Sequence, residues 1–186
     1  MFLDEPSRTR GPSRYSAFLR CHREIFSTVI NSVSSKLKLD AKFEPCPPEA
    51  GDELFPNGIF EFNISRLLAF IHTHPERFPL ELLELTDIPN YGDAALDEAA
   101  IGSADSSRPI LLAEIAPGRY NVIDGHHRIA KARREGIPTL TCHRLRCPEH
   151  VPFLTSATAY EKYVEYWNTK VDAAGPDSGV APRLAR

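Results

Sequence analysis

The spacing of hydrophobic residues predicts helices and a strand in the first part of the chain. Over residues 15–39, apolar side chains recur at intervals of three and four, as on the buried face of an amphipathic helix. Three prolines and a glycine within residues 45–51 break this pattern and predict a connector. Residues 58–62 then fit a strand, and Asn63 fits the N-cap of a helix over residues 64–72.

The second part of the chain alternates strand patterns with helix patterns. Its elements are predicted as an edge strand over residues 81–88, a helix over 93–101, strands over 110–115, 120–123 and 139–145, a helix over 125–135 between the last two strands, and a terminal helix opened by a capping box at Thr158. The run 110–115 is nearly continuous in apolar residues, which is typical of a buried strand. This order predicts an α+β fold, α/β-like in its sequence of elements, around a mixed sheet.

One strand-to-helix junction concentrates polar side chains. The apolar run 120–123 ends in five consecutive residues, Asp124, Gly125, His126, His127 and Arg128. Asp124 is predicted to be the N-cap of the helix, and Gly136 to end it as a C-terminal glycine. This junction is the most specific chemical feature of the sequence.

These residue types suit a phosphate group. The first amides of a helix lack internal partners and, with the helix dipole, attract anions. Arg128 can hold a phosphate by two hydrogen bonds, His126 and His127 can exchange protons near neutral pH, and Gly125 allows close approach to the backbone. In the alternative interpretation, Asp124 only caps the helix, the histidines are solvated and Arg128 pairs with a neighbouring carboxylate.

A longer stretch around the junction resembles a known superfamily. It consists of the run 108–115, a turn at Pro117-Gly118, the segment 120–132, Gly136, Pro138 and the strand that follows. This pattern, within residues 81–146, resembles the core of the ParB/sulfiredoxin-like superfamily. The D-G-H-H-R form is most similar to ParB-like proteins related to nucleotide-dependent free-serine kinases. Sulfiredoxins carry a reactive cysteine at the place of His126, and partition proteins carry G-E-R-R and a long helix-turn-helix region, so neither chemistry is expected.

The resemblance implies a fold, a ligand and roles for the five residues. The domain, over residues 79–170, is a small mixed sheet of the ParB/sulfiredoxin kind with a C-terminal helix. The ligand is a nucleotide, ATP, ADP or another, with Mg²⁺. Gly125, His126, His127 and Arg128 would bind its phosphate, and Asp124, His126 and His127 would serve phosphoryl transfer to a small acceptor, or nucleotide hydrolysis.

Three further segments surround this domain. The sequence predicts a disordered N-terminus at residues 1–13, a helical extension over 14–78 and a flexible tail at 171–186. The extension is not covered by the resemblance, so a cap, a dimer arm and a substrate-specific addition are all compatible with it.

One position departs from the family pattern. The serine kinases place a catalytic glutamate soon after their first strand, where this chain has Asn90 and Tyr91. Asp93, Asp97 and Glu98 lie close in sequence, but we favour the interpretation that they solvate the start of a short helix. The general base is therefore not assigned.

Composition narrows the function classes. The formal net charge of −3 and the pI near 6.2 disfavour a nucleic-acid partner, although basic residues concentrate over 128–146. That concentration fits a nucleotide site or a solvated helix face. The longest apolar runs are far shorter than the roughly twenty residues that cross a bilayer. Four cysteines without a dense pattern fit a reducing compartment, so we expect a cytoplasmic protein with no membrane partner.

Other candidate sites have simpler interpretations. Four zinc-type ligands lie close together in the last predicted strand and just after it, at Cys142, His143, Cys147 and His150. Neighbours on a strand point to opposite faces, which disfavours a shared ion. His72 and His74, two apart, share no helix face. An aromatic stripe on the terminal helix, at Tyr160, Tyr163, Val164 and Trp167, is typical of docking onto the body, with base stacking as the alternative.

Two rival functions remain open at this stage. The superfamily includes ParB-like nucleases and other DNA-associated proteins, a class that the acidic composition disfavours. A non-catalytic nucleotide sensor or interaction module is favoured by the missing glutamate at Tyr91.

Overall fold

The computed structural model describes residues 35–89, 96–174 and 183–184. The predicted disordered N-terminus and nearly all of the helix predicted over 15–39 lie outside these residues. Residues 35–39 are described and are not helical. The backbone of Leu37 instead exchanges two hydrogen bonds with the side chain of Asn168, at 2.7 and 2.9 Å. The end of the first predicted helix is therefore wrong, because this segment has no regular secondary structure and its backbone is bonded to the terminal helix.

The described residues form strands and helices in an alternating order. In chain order they are β1 Leu54–Asn57, β2 Phe60–Asn63, α1 Ile64–Thr73, β3 Leu80–Glu84, α2 Glu98–Ser103, β4 Ile110–Ala116, β5 Arg119–Asp124, α3 His126–Glu135, β6 Thr139–Leu145, α4 Ala157–Ala174 and β7 Arg183–Leu184. Short 3₁₀ helices follow β3 and precede α4, at Leu85–Asp87 and Val151–Phe153. The predicted α+β class is confirmed.

The main sheet has the order β3-β6-β4-β5-β7. Strand β4 runs antiparallel to β5 and parallel to β6, β3 runs antiparallel to β6, and β7 runs parallel to β5. The sheet is therefore mixed, and β3 lies at its edge, both as predicted. All seven residues of the central strand β4 are buried, because helices or the β1–β2 hairpin cover both of its faces.

The sheet separates two hydrophobic clusters. Ile110 and Leu112 of β4 join the cluster on the side of α3, whereas Leu111 and Ala113 join the cluster formed by α1, α4 and the β1–β2 hairpin. The hairpin and α1 thus share a core with the sheet, which puts the described part of the predicted extension inside the domain. That part is also not purely helical, since β1 and β2 pair within it.

The predicted N-cap of α1 is confirmed, whereas that of α4 is wrong. Asn63 Oδ1 accepts a hydrogen bond from Arg66 N at 3.0 Å. In α4, Ser156 takes the capping role expected of Thr158, because Ser156 Oγ accepts from Ala159 N at 3.1 Å. Ser156 and Asn63 both place a short polar side chain over the first free amides of their helix.

The terminal helix extends beyond residue 170, where the predicted domain ends. It reaches Ala174, and Arg183–Leu184 pairs with β5, so the prediction of a flexible tail from residue 171 is wrong for these residues. Val171 packs against the hydrophobic core, which extends the apolar stripe by a further turn. The stripe itself is buried at Tyr160, Tyr163, Val164 and Trp167, which confirms the docking interpretation and leaves no ring face for a base.

The candidate zinc ligands are separated by the sheet. Cys142 belongs to the cluster on the α3 side, whereas Cys147 packs against the opposite cluster. His150 is fully buried, with Nε2 at 2.8 Å from the hydroxyl of Tyr163, which donates to the backbone oxygen of Glu114 at 3.0 Å. Among the described residues, no group of three or more potential ligands is placed to hold a metal ion. Cys142, Cys147 and His150 therefore act in packing.

Burial of His150 predicts a loss of stability in acid. Burial lowers the pKa of His150 from its ordinary 6.5 to about 3, so below pH 6.5 the unfolded chain binds a proton that the folded chain does not. The free energy of unfolding should therefore fall by about 2 kcal/mol between pH 6.5 and pH 5 from this group alone. Urea unfolding at several pH values measures the slope. His150→Gln should have a slope shallower by one proton, and equal slopes in the two proteins would contradict the prediction.

No helix in the described part of the chain combines the length and the apolar composition that a bilayer crossing requires.

Candidate functional site

The candidate site begins with an irregularity at the end of β5. Leu112 pairs with Val122, and Leu111, the residue before it in β4, pairs with Asp124. Ile123 has no partner in β4 and is therefore an extra residue in β5. Such bulges redirect the side chains that follow, and they are common beside functional sites. Here the bulge precedes the five polar residues directly.

Gly125 makes the turn between strand and helix. It is the N-cap of α3 with φ 106° and ψ 17°, in the left-handed region. A Cβ atom here would lie 2.5 Å from Cγ2 of Ile110 and 2.9 Å from Nη2 of Arg128. The glycine is therefore required by its conformation and by the packing of β4, and this packing explains it without a ligand.

Asp124 is not the helix cap, contrary to prediction. The N-cap of α3 is Gly125, and Asp124 is the last residue of β5. Its carboxylate accepts a hydrogen bond from Arg128 Nη2 at 2.7 Å, with the two side chains only 11% and 10% exposed. The left-handed turn at Gly125 takes the cap position, and the carboxylate is used for the ion pair instead. The alternative in which Arg128 pairs with a neighbouring carboxylate describes this contact.

Arg128 keeps unused hydrogen-bonding capacity at the site. Its Nε is buried and has no hydrogen-bond partner in the described part of the chain. A guanidinium has five N–H groups, and the carboxylate of Asp124 engages Nη2 alone. The ion pair therefore fixes the guanidinium in place while leaving donors for a further acceptor.

The first amides of α3 form the second part of the site. The first hydrogen bond of the helix runs from Ile129 N to Gly125 O at 3.0 Å. The N–H groups of the first three helical residues thus precede the internal bonding pattern, and the N-cap residue, Gly125, has no side chain to accept from them. With the helix dipole, this end carries partial positive charge beside the Arg128 guanidinium.

His126 lies half-buried against the β1–β2 hairpin. Its ring stacks on Phe55 of β1, with centroids 5.5 Å apart and planes 14° apart. Burial lowers the pKa of His126, against the opposing effect of the Asp124 carboxylate. The ring is therefore biased towards the neutral form, which can accept a proton. His127 is also half-buried. The alternative interpretation expects both rings to be solvated, and neither is fully so.

The described acidic candidates for a general base are engaged elsewhere. Asp97 caps α2 by accepting from Ala99 N at 2.7 Å, and Glu98 pairs with Arg134 at 2.6 Å. Arg134 lies six residues beyond Arg128 on α3, a rise of about 9 Å. Asn90, Tyr91 and Asp93 lie outside the described residues. Asp97 and Glu98 thus have the structural role that the sequence favours.

Most of the basic residues over 128–146 also have protein partners. Lys131 Nζ donates to the backbone oxygen of Ala104, Arg133 Nη2 to that of Ile88, and Arg134 and Arg144 pair with Glu98 and Glu81. The local concentration of positive charge is therefore largely used to hold loops and strands, rather than to form one basic face.

The donors at the site do not fit a magnesium ion held by the protein alone. Mg²⁺ prefers oxygen ligands and usually takes one or two carboxylates together with substrate phosphates. Asp124 is the only carboxylate among the five residues of the motif, and it is already paired with Arg128. Magnesium would have to arrive with most of its ligands supplied by the phosphates themselves.

Comparison of the chain with family models, curated proteins and solved structures gave no match. The assignment to the ParB/sulfiredoxin-like superfamily therefore stays a prediction from the motif, and the function rests on the geometry of the site.

Sequence reasoning missed two residues that shape this site. Phe55 lies on β1, which the sequence did not predict, because Pro56 within it argues against a strand. Ile110 was predicted to be buried, but no sequence signal indicates that its methyl group lies against Gly125. Only the tertiary structure brings both side chains to the motif.

Proposed function

We propose that the protein binds a nucleotide through its phosphates at the junction of β5 and α3 and catalyses phosphoryl transfer to a small acceptor, or hydrolysis of the nucleotide. The observation that carries this proposal is the amino end of α3, which begins at a glycine N-cap, beside the buried Arg128 guanidinium, whose Nε has no partner among the described residues. Such an end attracts anions by dipole and by hydrogen bonding together. The resemblance of the D-G-H-H-R motif to nucleotide-dependent enzymes supports the same ligand class.

Each residue of the motif has a distinct role in this proposal. The amides of His126, His127 and Arg128 hold a phosphate, and the free donors of Arg128 contact its oxygens. Asp124 orients Arg128 through the 2.7 Å ion pair. The bias of His126 towards the neutral form makes it the acceptor for a proton released by an attacking hydroxyl or water. A magnesium ion would be held by the phosphates rather than by the motif, and there it would supply charge neutralisation.

A nucleotide panel tests the binding step. ATP, ADP, CTP and GTP with Mg²⁺ are added in a thermal unfolding assay of the wild type, His126→Ala and Arg128→Ala. A ligand at a hundred times its dissociation constant should stabilise the wild type by about 2.7 kcal/mol. Both variants should lose most of this stabilisation.

Arg134→Ala provides the matched control for this panel. Arg134 lies at the other end of α3 in an exposed ion pair with Glu98, so its variant should respond to nucleotide as the wild type does. A wild type that no nucleotide stabilises would contradict the proposal.

A non-catalytic nucleotide sensor is the second candidate function. The observation that favours it is the structural engagement of Asp97 and Glu98, which leaves no base among these two acids. Measurement of product nucleotide over a panel of small hydroxyl acceptors separates the two functions. Turnover that His126→Ala abolishes supports the enzyme, whereas tight binding without turnover supports the sensor.

A further inference from the structure

A second basic site lies on the sheet beside the junction. His72 of α1, Arg108 before β4 and His143 of β6 line a cavity of about 370 Å³ together with Leu68, Ala69 and Ile71. Among the described residues that line it, none is acidic. The sequence places these three basic side chains in separate segments, so only the fold shows that they converge.

Arg108 is available to a ligand. Within the described structure its guanidinium makes no hydrogen bond or ion pair, and the side chain is exposed. Asp105, three residues earlier, is used locally, because its carboxylate accepts from Ser107 N and Oγ at 3.0 and 2.6 Å. Lys131 of α3 donates to the backbone oxygen of Ala104 at 2.8 Å, which ties the loop that carries Arg108 to the helix of the candidate site.

His143 is held in a defined orientation at the cavity. Its Nδ1 donates to the backbone oxygen of Phe78 at 2.9 Å, which leaves Nε2 as the ring nitrogen for a ligand. When the ring is protonated, both nitrogens donate, and Nε2 can then contact an anion. His72, on the exposed side of α1, adds a second imidazole at the rim.

The strand register fixes the distance between the two sites. Leu111 of β4 lies opposite Asp124 on one side and His143 on the other. Since neighbouring strands are spaced by about 4.8 Å, His143 and Asp124 lie about 10 Å apart along the sheet. The backbone positions of the two sites are thus two strands apart on the same sheet.

We propose that the cavity of His72, Arg108 and His143 is a second anion-binding site, which anchors a phosphate or carboxylate group of the acceptor molecule. Its role as an acceptor anchor rests on the proposed phosphoryl transfer, whereas anion binding itself does not. The acceptor class is then a small hydroxyl compound that carries an anionic group. Arg108 holds that group by paired hydrogen bonds, and the two imidazoles lie beside it.

Anion titration tests this site directly. Inorganic phosphate and acetate are titrated separately against chloride at constant ionic strength, and the side-chain resonances of His72 and His143 are followed by NMR. We expect saturable shifts for at least one anion, and the stronger of the two identifies the group. Arg108→Gln should weaken that binding about tenfold, the effect of one lost charge-assisted contact.

Arg119→Gln is the matched control for Arg108→Gln. Arg119 is an equally exposed arginine at the opposite end of β5 from Asp124, so its loss changes net charge alone and should leave anion binding as in the wild type. Equal weakening in both variants, or shifts that do not saturate, would overturn the proposal.

Parallel nucleotide titrations keep the two proposals separate. A wild type that binds nucleotide but neither anion overturns the second site alone. Saturable anion binding at the cavity without any nucleotide binding supports the second site and contradicts the nucleotide proposal. Competition then locates the anchor: an anionic hydroxyl acceptor should displace the titrated anion, and an acceptor that is phosphorylated without displacing it overturns the anchoring role.

Discussion

Gly125→Ala is expected to lower the free energy of unfolding by about 4 kcal/mol, from backbone strain and overpacking together. The backbone of Gly125 has φ 106°, a value that residues with a side chain rarely adopt, and the new Cβ would lie 2.5 Å from Ile110 Cγ2. Ile110 belongs to the fully buried strand β4, so it has little room to move. Urea unfolding with tryptophan fluorescence, through the buried Trp167, measures the loss.

Gly136→Ala separates the two causes of that loss. Gly136 also has a left-handed conformation, with φ 69°, but nothing lies within 4 Å of its Cβ position. Its variant should lose only about 1 kcal/mol, from the conformation alone. Equal losses at the two glycines would show that the contact with Ile110 contributes nothing. A negligible loss of stability in Gly125→Ala would instead favour the interpretation that Gly125 allows a ligand to approach the backbone closely.

The local patterns predicted most of the regular elements. Strand β6 and helix α3 have the predicted bounds at Thr139–Leu145 and at Glu135, because alternation, helix-forming residues and Gly136 all agree there. The errors fall where tertiary contacts override local pattern. Residues 35–39 are not helical, since Asn168 binds the backbone of Leu37, and α4 continues to Ala174 because its apolar stripe stays on the core.

The candidate site was predictable in composition and less so in geometry. The sequence places Asp124 and Arg128 four residues apart, and the structure joins them in an ion pair. It does not indicate the bulge at Ile123 or the left-handed turn at Gly125, and these two features decide that Asp124 faces Arg128 instead of capping the helix. The contact between Phe55 and His126 joins residues 71 positions apart, so no local pattern carries it.

The two proposed basic sites differ in burial, which suits them to different ligands. Arg128 is buried, so its fixed donors are largely shielded from water, which strengthens their interaction with charge. Arg108 and His72 are exposed, so they suit a group that must enter and leave. In the proposed reaction, the nucleotide would be held at the buried site and the acceptor at the open one.

Arg128→Gln should cost about 3 kcal/mol of stability, because it leaves the Asp124 carboxylate buried without its charged partner. Both side chains are about one-tenth exposed, so water cannot replace the guanidinium. Asp124→Asn leaves the converse charge unpaired, and the double variant should lose less than the sum of the two single losses. Urea unfolding of the four proteins measures this coupling. Additive losses would contradict a direct interaction between the two side chains.

The exposed pair of Arg134 and Glu98 on the same helix is the control for that cycle. Its side chains are 42% and 74% exposed, so the corresponding cycle should give less than about 1 kcal/mol of coupling.

Nucleotide affinity then distinguishes a structural ion pair from a functional one. If Asp124 orients Arg128 for a phosphate, Asp124→Asn retains the cation but loses its orientation, and its nucleotide affinity should lie between those of the wild type and Arg128→Gln. Wild-type affinity in Asp124→Asn would show that the ion pair serves the fold alone.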